Sequence, residues 1–115
     1  MISPSCDKRR FIEAVENKDY VEIIRMAEQE ANAADNLPYG RKPKVKDSPM
    51  EAQAWKNRKW AIQEYSKFLR DFLFFMRNPT IKPDGISDRD FQSLRPVCEN
   101  LVKRGQLKPE VMNFF

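Results

Sequence analysis

The sequence predicts an all-α protein: a small helical bundle with an N-terminal α-hairpin, a long central helix and a proline-bent C-terminal helical segment. Three observations carry this. Only three glycines occur in 115 residues, too few for the tight turns of an all-β chain. Apolar residues recur at spacings of three, four and seven along most of the chain. The run Ser48-Pro49-Met50-Glu51 is a helix start, with serine at the cap, proline at the first helical position and a carboxylate three residues after the cap. A hydrophobic fraction of 41% beside a charged fraction of 33% suits one core, so residues 1–115 read as a single domain.

The first element is a short amphipathic helix near residues 7–16, with Phe11, Ile12 and Val15 on one side. Asn17-Lys18 breaks it. Asp19 then caps a second helix, accepting from the free N–H groups of the first turn. That helix runs to about Ala34 and carries Ile23, Ile24, Ala27, Ala31 and Ala34 at helical spacing. So short a turn between two helices implies an antiparallel hairpin. The run FIEAVENKDYVEIIRMA, Phe11–Ala27, resembles the helix pair of an ankyrin-type unit. No second copy follows, and a stacked array needs repeats. The likeness is one of shared hairpin physics.

Residues 35–48 form an extended basic connection. Pro38 and Pro43 exclude regular helix there. At about 14 residues it is long for a compact domain, and such loops often carry function. From Pro49 the central helix continues to about Arg77, roughly 43 Å at 1.5 Å per residue. Ala54, Ala61, Phe68 and Phe75 repeat every seven, with Trp55, Ile62, Leu69 and Met76 beside them and Tyr65 and Phe72 between. They span an arc of about 160°, which calls for more than one packing partner.

Residues 78–86 form a loop around Pro79 and Pro83. Ser87 offers a cap, with Asp90 three residues on. Phe91, Leu94, Val97, Cys98, Leu101 and Val102 keep helical spacing through Pro96. Proline removes one helical hydrogen bond and crowds the preceding turn. The segment is thus a kinked helix or two short helices meeting at Leu94-Arg95. Gly105 is a natural stop. Pro109 starts a last short helix whose Val111, Met112, Phe114 and Phe115 imply that the C-terminus is docked.

The chain has no histidine. That removes the commonest general base, the Ser-His and Cys-His nucleophiles and most zinc sites. The closest carboxylate pairs, Glu13 with Glu16 and Glu28 with Glu30, read as solvated helix faces. Three scattered glycines cannot build a phosphate loop. Cys6 lies near Lys8, Arg9 and Arg10, which would lower a thiol pKa, although a plain thiol is the simpler reading. Two cysteines, Cys6 and Cys98, are too few for a disulfide framework. No cofactor, metal or enzyme activity is expected. The longest apolar run, Phe72–Met76, falls far short of the roughly 20 residues of a membrane span. Residues 1–6 lack the apolar stretch of a signal peptide, so a cytoplasmic protein is expected.

Two features point to partners. With Ala61 at zero, Trp60 lies near −100° and Phe74 near −140°, outside the apolar arc by helical geometry of about 100° per residue. Either another segment covers them, which is the simpler reading, or they anchor a protein partner, where tryptophan is enriched. The second feature is a basic strip. Arg41, Lys42, Lys44 and Lys46 lead into Lys56, Arg58 and Lys59, with Tyr39, Trp55 and Trp60 among them. Cations interleaved with aromatics grip phosphates and stack on bases. The net charge of +4 permits an acidic partner, although Arg58 falls inside the apolar arc and Asp47 and Glu51 dilute the strip. The expected function is a non-catalytic protein-interaction module. A small nucleic-acid-binding protein is the alternative.

Overall fold

A computed structural model describes residues 6–37 and 48–115. Their order is α1 (Lys8–Val15), α2 (Tyr20–Asp35), α3 (Pro49–Arg77), α4 (Asp88–Gln92), α5 (Arg95–Lys103) and a 3-10 helix (Pro109–Phe114). No strand occurs among the described residues, and the all-α reading holds. The connection that carries Tyr39, Arg41, Lys42, Lys44 and Lys46 lies outside them.

The oxygen Oδ1 of Asp7 caps α1, accepting from the N–H groups of Arg9 and Arg10 at 3.0 and 3.3 Å. Phe11, Ile12 and Val15 are buried, as the spacing predicts. The charges of α1 oppose its dipole. Lys8, Arg9 and Arg10 crowd the positive N-terminus, and Glu13 and Glu16 the negative C-terminus. Packing therefore holds this helix: Phe11 meets Phe72 edge-on at 5.4 Å, and Lys8 reaches Asp90 at 2.7 Å.

Asp19 caps α2 through the Glu22 N–H at 2.8 Å. Ile23, Ala27, Ala31 and Ala34 form its buried face, and three alanines let it approach α3 closely. This is the most extensive helix pairing in the fold. The pair is antiparallel. The Tyr20 hydroxyl donates to the Met76 carbonyl at 3.0 Å. At the other end Ser66 and Arg70 both donate to Asp35. Between them Tyr65 donates to Glu30 at 2.7 Å and Arg77 pairs with Glu28.

Ser48 caps α3, its hydroxyl accepting from the Glu51 N–H at 3.2 Å, with Pro49 in the first turn. The buried face runs from Ile62 to Met76. The expected arc was longer, and here it needs correction. Ala54 is exposed, and Trp55 and Ala61 are only half-buried. Among the described residues, α2 ends beside Ser66 and no helix covers the first three turns of α3.

The C-terminal segment is two helices meeting at Leu94-Arg95. Pro96 sits in the first turn of α5, where its missing N–H breaks no bond. Ser87 caps α4 through the Asp90 N–H at 3.2 Å. Gly105 ends α5 with φ +72°, a left-handed conformation that glycine adopts without strain. The last helix is 3-10 in type, and it docks: Val111 is buried, Phe114 packs edge-on against Phe75 and Phe91, and Phe115 stacks on Phe91 at 5.0 Å.

Candidate functional site

The two off-stripe aromatics of α3 are exposed. Trp60 is 65% accessible and Phe74 43%, so the simpler expectation, that another segment covers them, is corrected. They do not form one patch, since fourteen residues of helix place them about 21 Å apart. Trp60 borders a concave surface. That surface is a groove of about 860 Å³ between α1, the Trp60–Tyr65 stretch of α3 and the first residues of α4. Ile12, Ala61 and Tyr65 supply apolar lining; Glu16, Glu64 and Arg89 supply charge.

Much of the remaining charge in the groove is already engaged. Lys8 pairs with Asp90, Arg9 with Glu13, and Asp7 serves as the cap of α1. Glu16 and Glu64 form no ion pair among the described residues. The Tyr65 phenol is held above its ordinary pKa by burial and by its hydrogen bond to Glu30. It stays protonated at neutral pH.

Cys6 lies at the end of the groove with φ +56°. Its thiol is raised, not lowered, by burial and then by the charge of Glu30. The lowering expected from Lys8, Arg9 and Arg10 does not arise; in sequence they looked adjacent, but Glu30 is the charge that acts on the sulfur. Cys98 is fully buried and pushed up to about 12 by burial and then Glu99. The two cysteines are not joined. Among the described residues no cluster of three or more His, Cys, Asp or Glu side chains is placed to hold a metal ion, and no helix is long and apolar enough to cross a membrane.

The described part of the basic strip lies on the first turns of α3. Lys56 and Arg58 are exposed. The Lys59 ammonium sits over the Trp55 ring, 5.2 Å from its centre, the distance of a cation–π contact. Arg58 was expected inside the apolar arc. It is exposed, and among the described residues no helix covers the arc at that level. The sequence did not single out Asp71, whose signal comes from the fold. Its Oδ2 is buried beside Gly85 with no hydrogen-bond partner among the described residues. Burial raises its pKa, and Lys67 opposes the shift.

Comparison with protein families, with curated proteins and with solved structures finds no match for this chain.

Proposed function

We propose that this protein is a non-catalytic interaction module, an adaptor, inhibitor or accessory subunit, that engages a protein partner at Trp60 and the groove beside it. The exposure of Trp60 on a groove wall carries the reading. A large aromatic on a helix offers much contact area at little cost in entropy, and tryptophan is enriched at interaction hot spots. The composition supports it, since a chain without histidine lacks the usual catalytic base. The unjoined cysteines suit a reducing compartment, and we place the protein in the cytoplasm. Affinity capture from native lysate, with and without nuclease, tests the reading. Trp60→Ala should lose a protein partner while its melting temperature holds. Full retention of every partner by the variant overturns the proposal.

A second reading, nucleic-acid binding, draws on the Lys59–Trp55 contact beside exposed Lys56 and Arg58. In sequence Arg41, Lys42, Lys44 and Lys46 come just before them. Such a surface neutralises phosphates and releases counterions, so affinity would fall with salt by a log–log slope near −0.9 per duplex phosphate. Titration of labelled single- and double-stranded oligonucleotides at several salt concentrations tests it. Replacing Lys42 and Lys44 by alanine should reduce the slope by about 2. No binding at low salt removes this reading.

A further inference from the structure

Lys56, Trp60 and Glu64 follow one another at intervals of four on α3. Residues so spaced form a ridge on the helix surface, inclined about 26° to the axis. This ridge starts on the first turns of α3 and ends at the groove. Lys56 and Trp60 are exposed, and Glu64 is half-buried on the groove wall. Neither Lys56 nor Glu64 makes an ion pair among the described residues. They do not reach each other, standing about 12 Å apart along the axis. The order along the ridge is cation, aromatic, anion. Turned end for end, the ridge is its own complement.

We infer that α3 docks on a second copy of this chain, as an antiparallel helix pair centred on Trp60. The inference rests on the reading of Trp60 as an interaction residue and names the partner. Two-fold symmetry makes the contact isologous, so each contact occurs twice. Ridges of this kind lie side by side when helices cross in the common class near −50°. Trp60 then meets the other copy's Trp60. Lys56 lies beside the other copy's Glu64, and Glu64 beside its Lys56. A partner of one charge sign would satisfy only one end of the ridge, whereas a second copy satisfies both. The overlap is a few helical turns, so the interface belongs to the small size class and assembly depends on concentration.

Analytical ultracentrifugation of the full chain tests this, over a series reaching about 0.5 mM, the range a small interface requires. A monomer–dimer equilibrium is expected. Lys56→Glu turns two attractive contacts into two repulsive ones and should weaken the dimer roughly tenfold or more, as should Glu64→Lys. The double variant K56E/E64K restores both pairs with reversed sign and should recover wild-type association to within about threefold. It also keeps the wild-type net charge of +4, so bulk charge cannot explain a rescue. Circular dichroism checks that each variant folds. A monomer throughout the series overturns the inference. So does a dimer indifferent to either single reversal, or failure of the folded double variant to recover. A strictly monomeric protein whose Trp60→Ala variant still loses a partner from lysate overturns the second copy alone and leaves the interaction reading standing.

Discussion

The two halves of α3 carry one apolar rhythm and meet different surroundings. From Ile62 to Met76 the stripe is enclosed: Leu69, Phe72 and Phe75 expose no surface. From Pro49 to Ala61 no side chain is buried, and Met50 stands 83% exposed. The stripe does not cause this difference. Of the described helices, α1 packs at the Phe68–Phe72 level and leaves an open groove between itself and Trp60–Tyr65, and α2 stops beside Ser66. Periodicity states which face a helix offers. Whether anything arrives to cover that face is decided by the lengths and paths of other segments.

The largest break in this comparison comes from the enclosed half. Phe72 is fully buried and meets Phe11 edge-on. Phe72→Ala leaves a cavity between α1 and α3 and should cost about 3–5 kcal/mol. Urea denaturation followed by circular dichroism measures it. A loss under about 1 kcal/mol would mean that the core closes over the gap or is centred elsewhere.

Much of this was legible in the sequence, and the exceptions have physical causes. The caps at Asp19, Ser48 and Ser87 were readable because a cap is local, a side chain answering N–H groups two or three residues away. The break at Leu94-Arg95 was readable because Pro96 leaves few options. The exposure of the first turns of α3 was not, since Ala54 and Ala61 continue the heptad of Phe68 and Phe75 without a change in pattern. The exposure of Trp60 was half legible: its angle left the stripe, but the angle could not say what stood opposite. Asp71 was illegible, because the loop at Gly85 that isolates its oxygen is distant in sequence. The plain-thiol reading of Cys6 stands, while the charge that acts on its sulfur, Glu30 on α2, was out of reach for the same reason.

The next effect lies at the start of the half with no buried side chain. Ser48→Ala removes the hydroxyl that accepts from the Glu51 N–H. A lost cap costs about 1 kcal/mol. With no buried side chain on these turns, that loss should appear as local fraying before global unfolding. Amide exchange at residues 51–54 should quicken about fivefold, with a smaller change in the urea midpoint. Equal acceleration across all of α3 would show that its two halves open together.

A smaller effect sharpens the picture of the enclosed half at its edge. Burial raises the pKa of Asp71, so the folded protein binds its proton more tightly than the unfolded chain does. Asp71 therefore favours folding most at low pH. That contribution is lost as pH rises from the ordinary carboxylate range through the raised value. Asp71→Asn removes the titration and should be at least as stable as wild type at neutral pH. The stability difference between variant and wild type should grow in favour of the variant between about pH 3 and pH 7. A difference that stays flat across that range would show that Asp71 is solvated in the folded state.

The smallest effect is expected where the largest side chain is exposed. Trp60→Ala deletes an indole, yet at 65% exposure most of that surface is in water before and after folding. Alanine is also the better helix former, by a few tenths of a kcal/mol. The two terms oppose, and the unfolding free energy from urea denaturation at low protein concentration should change by less than about 0.5 kcal/mol. Low concentration matters, because association would add stability that depends on the amount of protein. Phe72→Ala and Trp60→Ala thus remove aromatic rings twelve residues apart on one helix, with expected costs differing several-fold. If Trp60→Ala instead costs more than about 2 kcal/mol under these conditions, the first turns of α3 are part of the core and Trp60 is a packing residue.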